Sequence, residues 1–108
     1  MNTKLAARNC QRIIAGSTPL AAEQVKSFLA EIPQWTLKGD AIEREFNFKD
    51  FQQSMDFANR VAKTAQQQDH HPDILISYAR VGVTLSTHKV HGLTENDFIL
   101  AAKIDLLF

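Results

Sequence analysis

The run Val81-Gly82-Val83-Thr84-Leu85-Ser86 alternates apolar with small or polar residues at every step. That is the period of a strand with one face covered and the other open. A sheet with one apolar face needs a second layer laid on it, which confines the fold to a few architectures. Ile74–Tyr78 lies just upstream across Ala79-Arg80 and supplies the other half of a hairpin with Val81–Thr87. A second hairpin is predicted around the turn cluster Lys38-Gly39-Asp40, from Trp35–Leu37 and Ile42–Phe48, with Ile42, Phe46 and Phe48 at even spacing. Three helical stretches provide the covering layer. Ser17-Thr18-Pro19 offers a cap with proline at the first helical position, and Val25, Phe28, Leu29 and Ile32 continue one face as far as Pro33. Asp50 caps a second helix that runs to about Gln67. Thr94-Glu95-Asn96-Asp97 resembles a capping box with Asp in the usual Glu position, and opens a third helix through Phe98, Ala101, Ala102 and Ile104. The order α-β-β-α-β-β-α predicts an α+β fold: a four-stranded antiparallel sheet, three helices packed on one face, and an uncovered face where polar side chains meet a ligand.

The second helix carries more apolar surface than one core needs. Phe51, Met55, Ala58, Ala62 and Ala65 line one face, while Phe57 and Val61 form a second stripe. The second stripe is expected to lie against another subunit, making the protein a homo-oligomer.

At 108 residues and 44% apolar content, the chain suits one core and a single domain spanning residues 1–108. Twelve basic and twelve acidic side chains cancel, so no overall field exists to hold a polyanion or an anionic membrane; neither a direct nucleic-acid partner nor a membrane is expected. Cys10 is the sole cysteine, which excludes an internal disulfide and a cysteine zinc cage. Residues 1–22 hold Lys4, Arg8 and Arg12 without an acid, a bias shared with mitochondrial presequences, yet their apolar pieces are too short for a secretory segment. The expectation is a cytoplasmic protein with a loose amino-terminal arm over residues 1–16.

Chemistry concentrates in Gln67-Gln68-Asp69-His70-His71-Pro72-Asp73, which holds two of the four histidines. A histidine pair at a helix end is often a solvated terminus, favoured there by the helix dipole. Here Pro72 drives His71 towards extended backbone, and the strand leading to His88 follows in the same sheet region. His70, His71, His88 and His91 with Asp69 and Asp73 include enough ligand types for zinc or iron, but adjacent histidines seldom share an ion and no His-Glu-x-x-His pattern is present. Acid–base chemistry requires less: two imidazoles on opposite sides of a small substrate, near the pH where imidazole titrates. No serine elbow, phosphate loop or dinucleotide glycine fingerprint points to another reaction.

Gln66, His70-His71-Pro72, Tyr78, His88 and Asp97, set within Val83-Thr84-Leu85-Ser86-Thr87-His88 and Gly92-Leu93-Thr94-Glu95-Asn96-Asp97-Phe98, resemble the motif of the pterin-4a-carbinolamine dehydratases. Similarity extends upstream through Leu29–Trp35 and Phe46–Ala65, most closely to bacterial members. Two positions depart from the pattern: Gln66 replaces a charged residue, and Ile74 stands where animal members have tryptophan. The resemblance implies dehydration of 4a-hydroxytetrahydrobiopterin to quinonoid dihydropterin, recycling the cofactor of aromatic amino-acid hydroxylases such as phenylalanine hydroxylase, with no metal or organic cofactor. It implies His70, His71 and His88 as the catalytic residues, with His70 and His88 as the acid–base pair and His71 mainly binding and orienting the pterin. Asp69 is a candidate for substrate binding or for a helix-end carboxylate, Asp97 for substrate binding or for a helix cap. Tyr78 is expected in core or sheet packing and His91 in solvent. A dimer or tetramer is implied, as is a rival class of function: related proteins bind a homeodomain transcription factor or assist Rubisco assembly without catalysis.

Overall fold

The computed structural model describes residues 3–108. Along the chain lie α1 (Thr3–Ala6), α2 (Ala22–Glu31), β1 (Thr36–Lys38), β2 (Ala41–Asn47), α3 (Phe51–Gln68), β3 (Asp73–Ser77), β4 (Arg80–Leu85), a 3-10 turn (His88–Val90) and α4 (Glu95–Asp105). The expected α-β-β-α-β-β-α order is present, preceded by the short α1. The four strands form one antiparallel sheet in the order β1-β2-β4-β3.

Strand alternation decides what the sheet covers. Ile42 faces Leu85 and Phe46 faces Val81 across the central β2–β4 pair. These residues, together with Val83, are at most 1% exposed. They pack with Phe57 and Val61 of α3 and with Phe98, Leu100 and Ile104 of α4 in a single core. Phe28 of α2 stacks on Phe98 at 5.1 Å between ring centres, adding α2 to the same layer. At the far end of the core, Asp105 Oδ1 accepts from both Trp35 Nε1 (2.9 Å) and Arg44 Nη1 (2.7 Å), joining the end of α4 to β2 and the β1 approach.

Four expectations are corrected. First, α2 starts at Ala22, because Leu20 N–H is taken by the Leu93 carbonyl (2.8 Å) and the Gln24 side chain caps Ala21 N–H (2.9 Å). The Pro19 ring instead lies so close to Gly92 that a Cβ there would sit 2.7 Å from it. Second, Phe57 and Val61 are completely buried in this chain's own core, while Phe51 is half exposed. They leave no unsatisfied stripe for a partner. Third, the arm over residues 1–16 is fastened along its first part: Leu5 is 1% exposed, Lys103 Nζ donates to the Ala6 carbonyl (2.7 Å), and Arg8 pairs with Glu95, while residues 14–16 are exposed. Residues 1 and 2 lie outside the described residues. Fourth, Tyr78 is 69% exposed and packs in no core.

Candidate active site

The open face of the sheet is not where the histidines are. It holds a depression of about 750 Å³ lined by Glu43, Glu45, Asp73, Leu75, Thr84 and others. The histidines gather instead at one end of the sheet, where the carboxyl end of α3, the turn after β4 and the start of α4 meet.

The end of α3 sets the first two. Asp69 adopts left-handed backbone (φ 51°, ψ 42°), and His70 N–H returns to the Ala65 carbonyl (3.2 Å), a closing turn that unwinds the helix. Glycine usually fills such a position; aspartate is among the few side chains that tolerate it. Reversal at Asp69 turns His70 inward, with its side chain only 10% exposed, and the following Pro72 extends the chain so that His71 remains outside. His88 does not follow directly on a strand as expected. β4 ends at Leu85, and His88 opens the 3-10 turn, exposed, its carbonyl accepting from His91 N–H (3.1 Å) and its imidazole without a hydrogen-bond partner among the described residues.

Asp97 is the organising group, fully buried at 0% exposure. Its Oδ2 accepts from Thr94 N–H (2.9 Å) and from the Thr87 hydroxyl (2.8 Å), whose oxygen also lies 2.8 Å from Thr94 Oγ1. The remaining oxygen, Oδ1, sits 2.6 Å from His70 Nε2. Of the two roles considered for Asp97, the helix cap is the one seen, through Oδ2; Oδ1 meets a histidine, and Asp97 is not among the residues that line the histidine cleft. An ionised carboxylate only accepts, so this bond fixes the proton of neutral His70 on Nε2 and leaves Nδ1 as the acceptor. Thr87 and Thr94 had no assigned function in the sequence; the capping-box spacing was the one signal that placed Thr94 beside Asp97.

Gln66 Oε1 lies 3.0 Å from His71 Nε2, so the position that departs from the motif touches His71 and not His70. A cleft of about 590 Å³ is lined by His70, His71, His88, Asp69, Ser86 and Lys89 on one side and by residues 10–13 of the arm on the other. The structure thus brings together His70, His71, His88 and Asp69 on one cavity, with Asp97 behind His70. Tyr78 and His91 are not among its lining residues. Ile74, where animal relatives of the motif carry tryptophan, packs against the core. Among the described residues no three His, Cys, Asp or Glu side chains converge as a metal site, and no helix is long and apolar enough to cross a membrane. The Cys10 thiol faces the same cleft, its pKa pushed up to about 11 chiefly by burial.

A family model described as pterin 4 alpha carbinolamine dehydratase matches residues 18–107. A Halorhodospira halophila protein provisionally named pterin-4-alpha-carbinolamine dehydratase is 44% identical over 102 residues, spanning 93% of this chain and 94% of the relative. A Nitrosospira multiformis protein with the same provisional name is 41% identical over 104 residues, spanning 96% and 92%. The crystal structure of a transcriptional coactivator/pterin dehydratase from Brucella melitensis superposes with a TM-score of 0.78 at 36% identity, covering 83% of this chain and 98% of that one. A pterin dehydratase-like RuBisCO assembly factor of the alpha-carboxysome shares the fold, with a TM-score of 0.56 at 23% identity over 68% of this chain and 84% of that one. With the matched model covering most of its length and relatives above 40% identity, the chain belongs to the pterin-4a-carbinolamine dehydratase family.

Proposed function

We propose that this protein dehydrates 4a-hydroxytetrahydrobiopterin to quinonoid dihydropterin and water, with His70 and His88 as the acid–base pair. The observation that carries this reading is the buried Asp97–His70 pair opening on a cleft that His71 and His88 also line. Loss of water from this substrate breaks the C4a–O bond, removes the N5 proton and forms a C4a=N5 double bond. A base must take the N5 proton while an acid delivers one to the departing hydroxyl. Neutral His70, held through Nε2 by Asp97, offers Nδ1 as base. His88, exposed at the start of its turn, is the acid in its imidazolium form. Each elimination leaves His70 protonated and His88 neutral, and exchange with solvent resets both. His71 and Asp69 bind and orient the pterin, with His71 steadied by Gln66. The reaction asks nothing of a metal or an organic cofactor.

The substrate is the 4a-hydroxylated cofactor that an aromatic amino-acid hydroxylase releases, so a phenylalanine hydroxylase is the proposed source of substrate and the cytoplasm the proposed setting. A non-catalytic assembly or coactivator role is the rival, given the roles named for the two structural relatives. Stopped-flow dehydration of a synthetic 4a-hydroxytetrahydropterin separates them: the enzyme accelerates the reaction over buffer, and a scaffold does not.

A further inference from the structure

Residues 10–13 precede the stretch matched by the family model, yet they form one side of the histidine cleft. Their placement is built by two side-chain amides from the elements that carry the site. Asn96, 5% exposed and adjacent to Asp97, donates through Nδ2 to the Gln11 carbonyl (2.6 Å) and accepts through Oδ1 from Gln11 N–H (2.8 Å), pairing with that residue as a neighbouring strand would. Gln68, two residues before His70, accepts from Cys10 N–H (2.7 Å) and donates to Asn9 Oδ1 (3.1 Å). Three successive arm residues are therefore fastened in register. Leu5, Lys103 and Glu95 hold residues 5–8 of the arm away from the cleft; this further polar fastening is at the cleft.

The residue that follows the clamp is Arg12. Of the five arginines, Arg8, Arg44 and Arg80 each meet a carboxylate and Arg60 lies over the Phe57 ring. Arg12 alone has neither among the described residues, and it lines the cleft. A guanidinium is a flat fork of five donors, suited to the carbonyl and ring-nitrogen edge of a planar heterocycle and to stacking on its face.

We propose that the arm segment Cys10–Ile13 is a wall of the substrate site, held there by Asn96 and Gln68, and that Arg12 is a specificity-determining residue for the pterin ring. This rests on the pterin reading given above. The test is calorimetric titration of full-length variants with 7,8-dihydrobiopterin, a pterin that lacks the 4a-hydroxyl and cannot react, alongside dehydration kinetics. Arg12→Ala should weaken pterin binding about tenfold, the scale of a lost charged hydrogen bond, and raise KM with kcat within about twofold. Arg12→Lys should recover part of the affinity. Gln68→Ala should weaken binding although Arg12 is intact, its folding checked by thermal melting. Equal affinity in wild type and Arg12→Ala overturns the proposal and leaves the dehydratase reading standing if wild type turns over. A wild type that binds no pterin overturns both.

Discussion

Asp69 holds left-handed backbone at the end of α3, where a Cβ is normally a steric cost of about 1 kcal/mol. Replacing it with glycine relieves that cost and enlarges unfolded-chain freedom by a similar amount, so Asp69→Gly should leave the urea-derived stability within about 1 kcal/mol of wild type. If its carboxylate also contacts the pterin, KM should rise while stability is kept; an unchanged KM would reduce Asp69 to a helix-ending residue. Cys10 allows a second check. With its thiol pushed up to about 11 mainly by burial, it should react with iodoacetamide at pH 8 about a hundredfold more slowly than an exposed cysteine, and the rate should keep rising beyond pH 9. Labelling at the ordinary rate would show that the arm is not docked at Cys10. At this scale the His-His-Pro turn and the Asp97 cap were legible, because a proline and a cap leave local marks, whereas the turn that carries His88 was not, because the strand alternation runs on past the end of β4. The Gln66–His71 pairing was not, since four- and five-residue neighbours at a helix end separate once the backbone leaves the helical path.

The elements were legible where their periods were strict. β2 and β4 followed from alternation to within two residues, and α3 from its Asp50 cap, whose carboxylate does accept from Gln53 N–H (2.9 Å). The faces of α3 were not. At roughly 100° per residue, Ser54, Phe57, Ala58, Val61 and Ala65 fall within one arc of about 100°, and Phe51, Met55 and Ala62 extend the same apolar band on one side. Small alanines do not reveal which edge of so broad a band is covered; the burial of Phe57 does. Phe57 touches the rings of both Phe46 and Phe48 at 4.7 and 5.1 Å between centres. Phe57→Ala should therefore cost about 3–5 kcal/mol of folding stability, read from the shift in urea midpoint. A cost under 1 kcal/mol would place the ring at a surface. The arm was missed for a related reason: its anchors are single residues, Leu5 and the amides of Gln68 and Asn96, and none repeats with a period.

Across the whole molecule, two sheet edges remain, β1 and β3. Leu75 and Tyr78, both 69% exposed, and Ile76 cluster along and just beyond β3, with Phe51 also exposed. An edge strand this apolar is a pairing surface unless something covers it. Homo-oligomerisation is therefore expected through these residues and not through Phe57 and Val61. Light scattering at micromolar concentration should return a multiple of the protomer mass, lowered by Ile76→Lys; a monomeric wild type would contradict the expectation.

The central claim is that a histidine pair, one member fixed by a buried carboxylate, removes water from a pterin carbinolamine. Its most direct measurement is stopped-flow dehydration of synthetic 4a-hydroxytetrahydropterin by wild type, His70→Ala and His88→Ala. The account predicts acceleration over buffer by wild type, and a fall in kcat of about 10²–10⁴-fold in each variant while 7,8-dihydrobiopterin still binds. Wild-type turnover in both variants, or no acceleration by the wild-type protein, would contradict it.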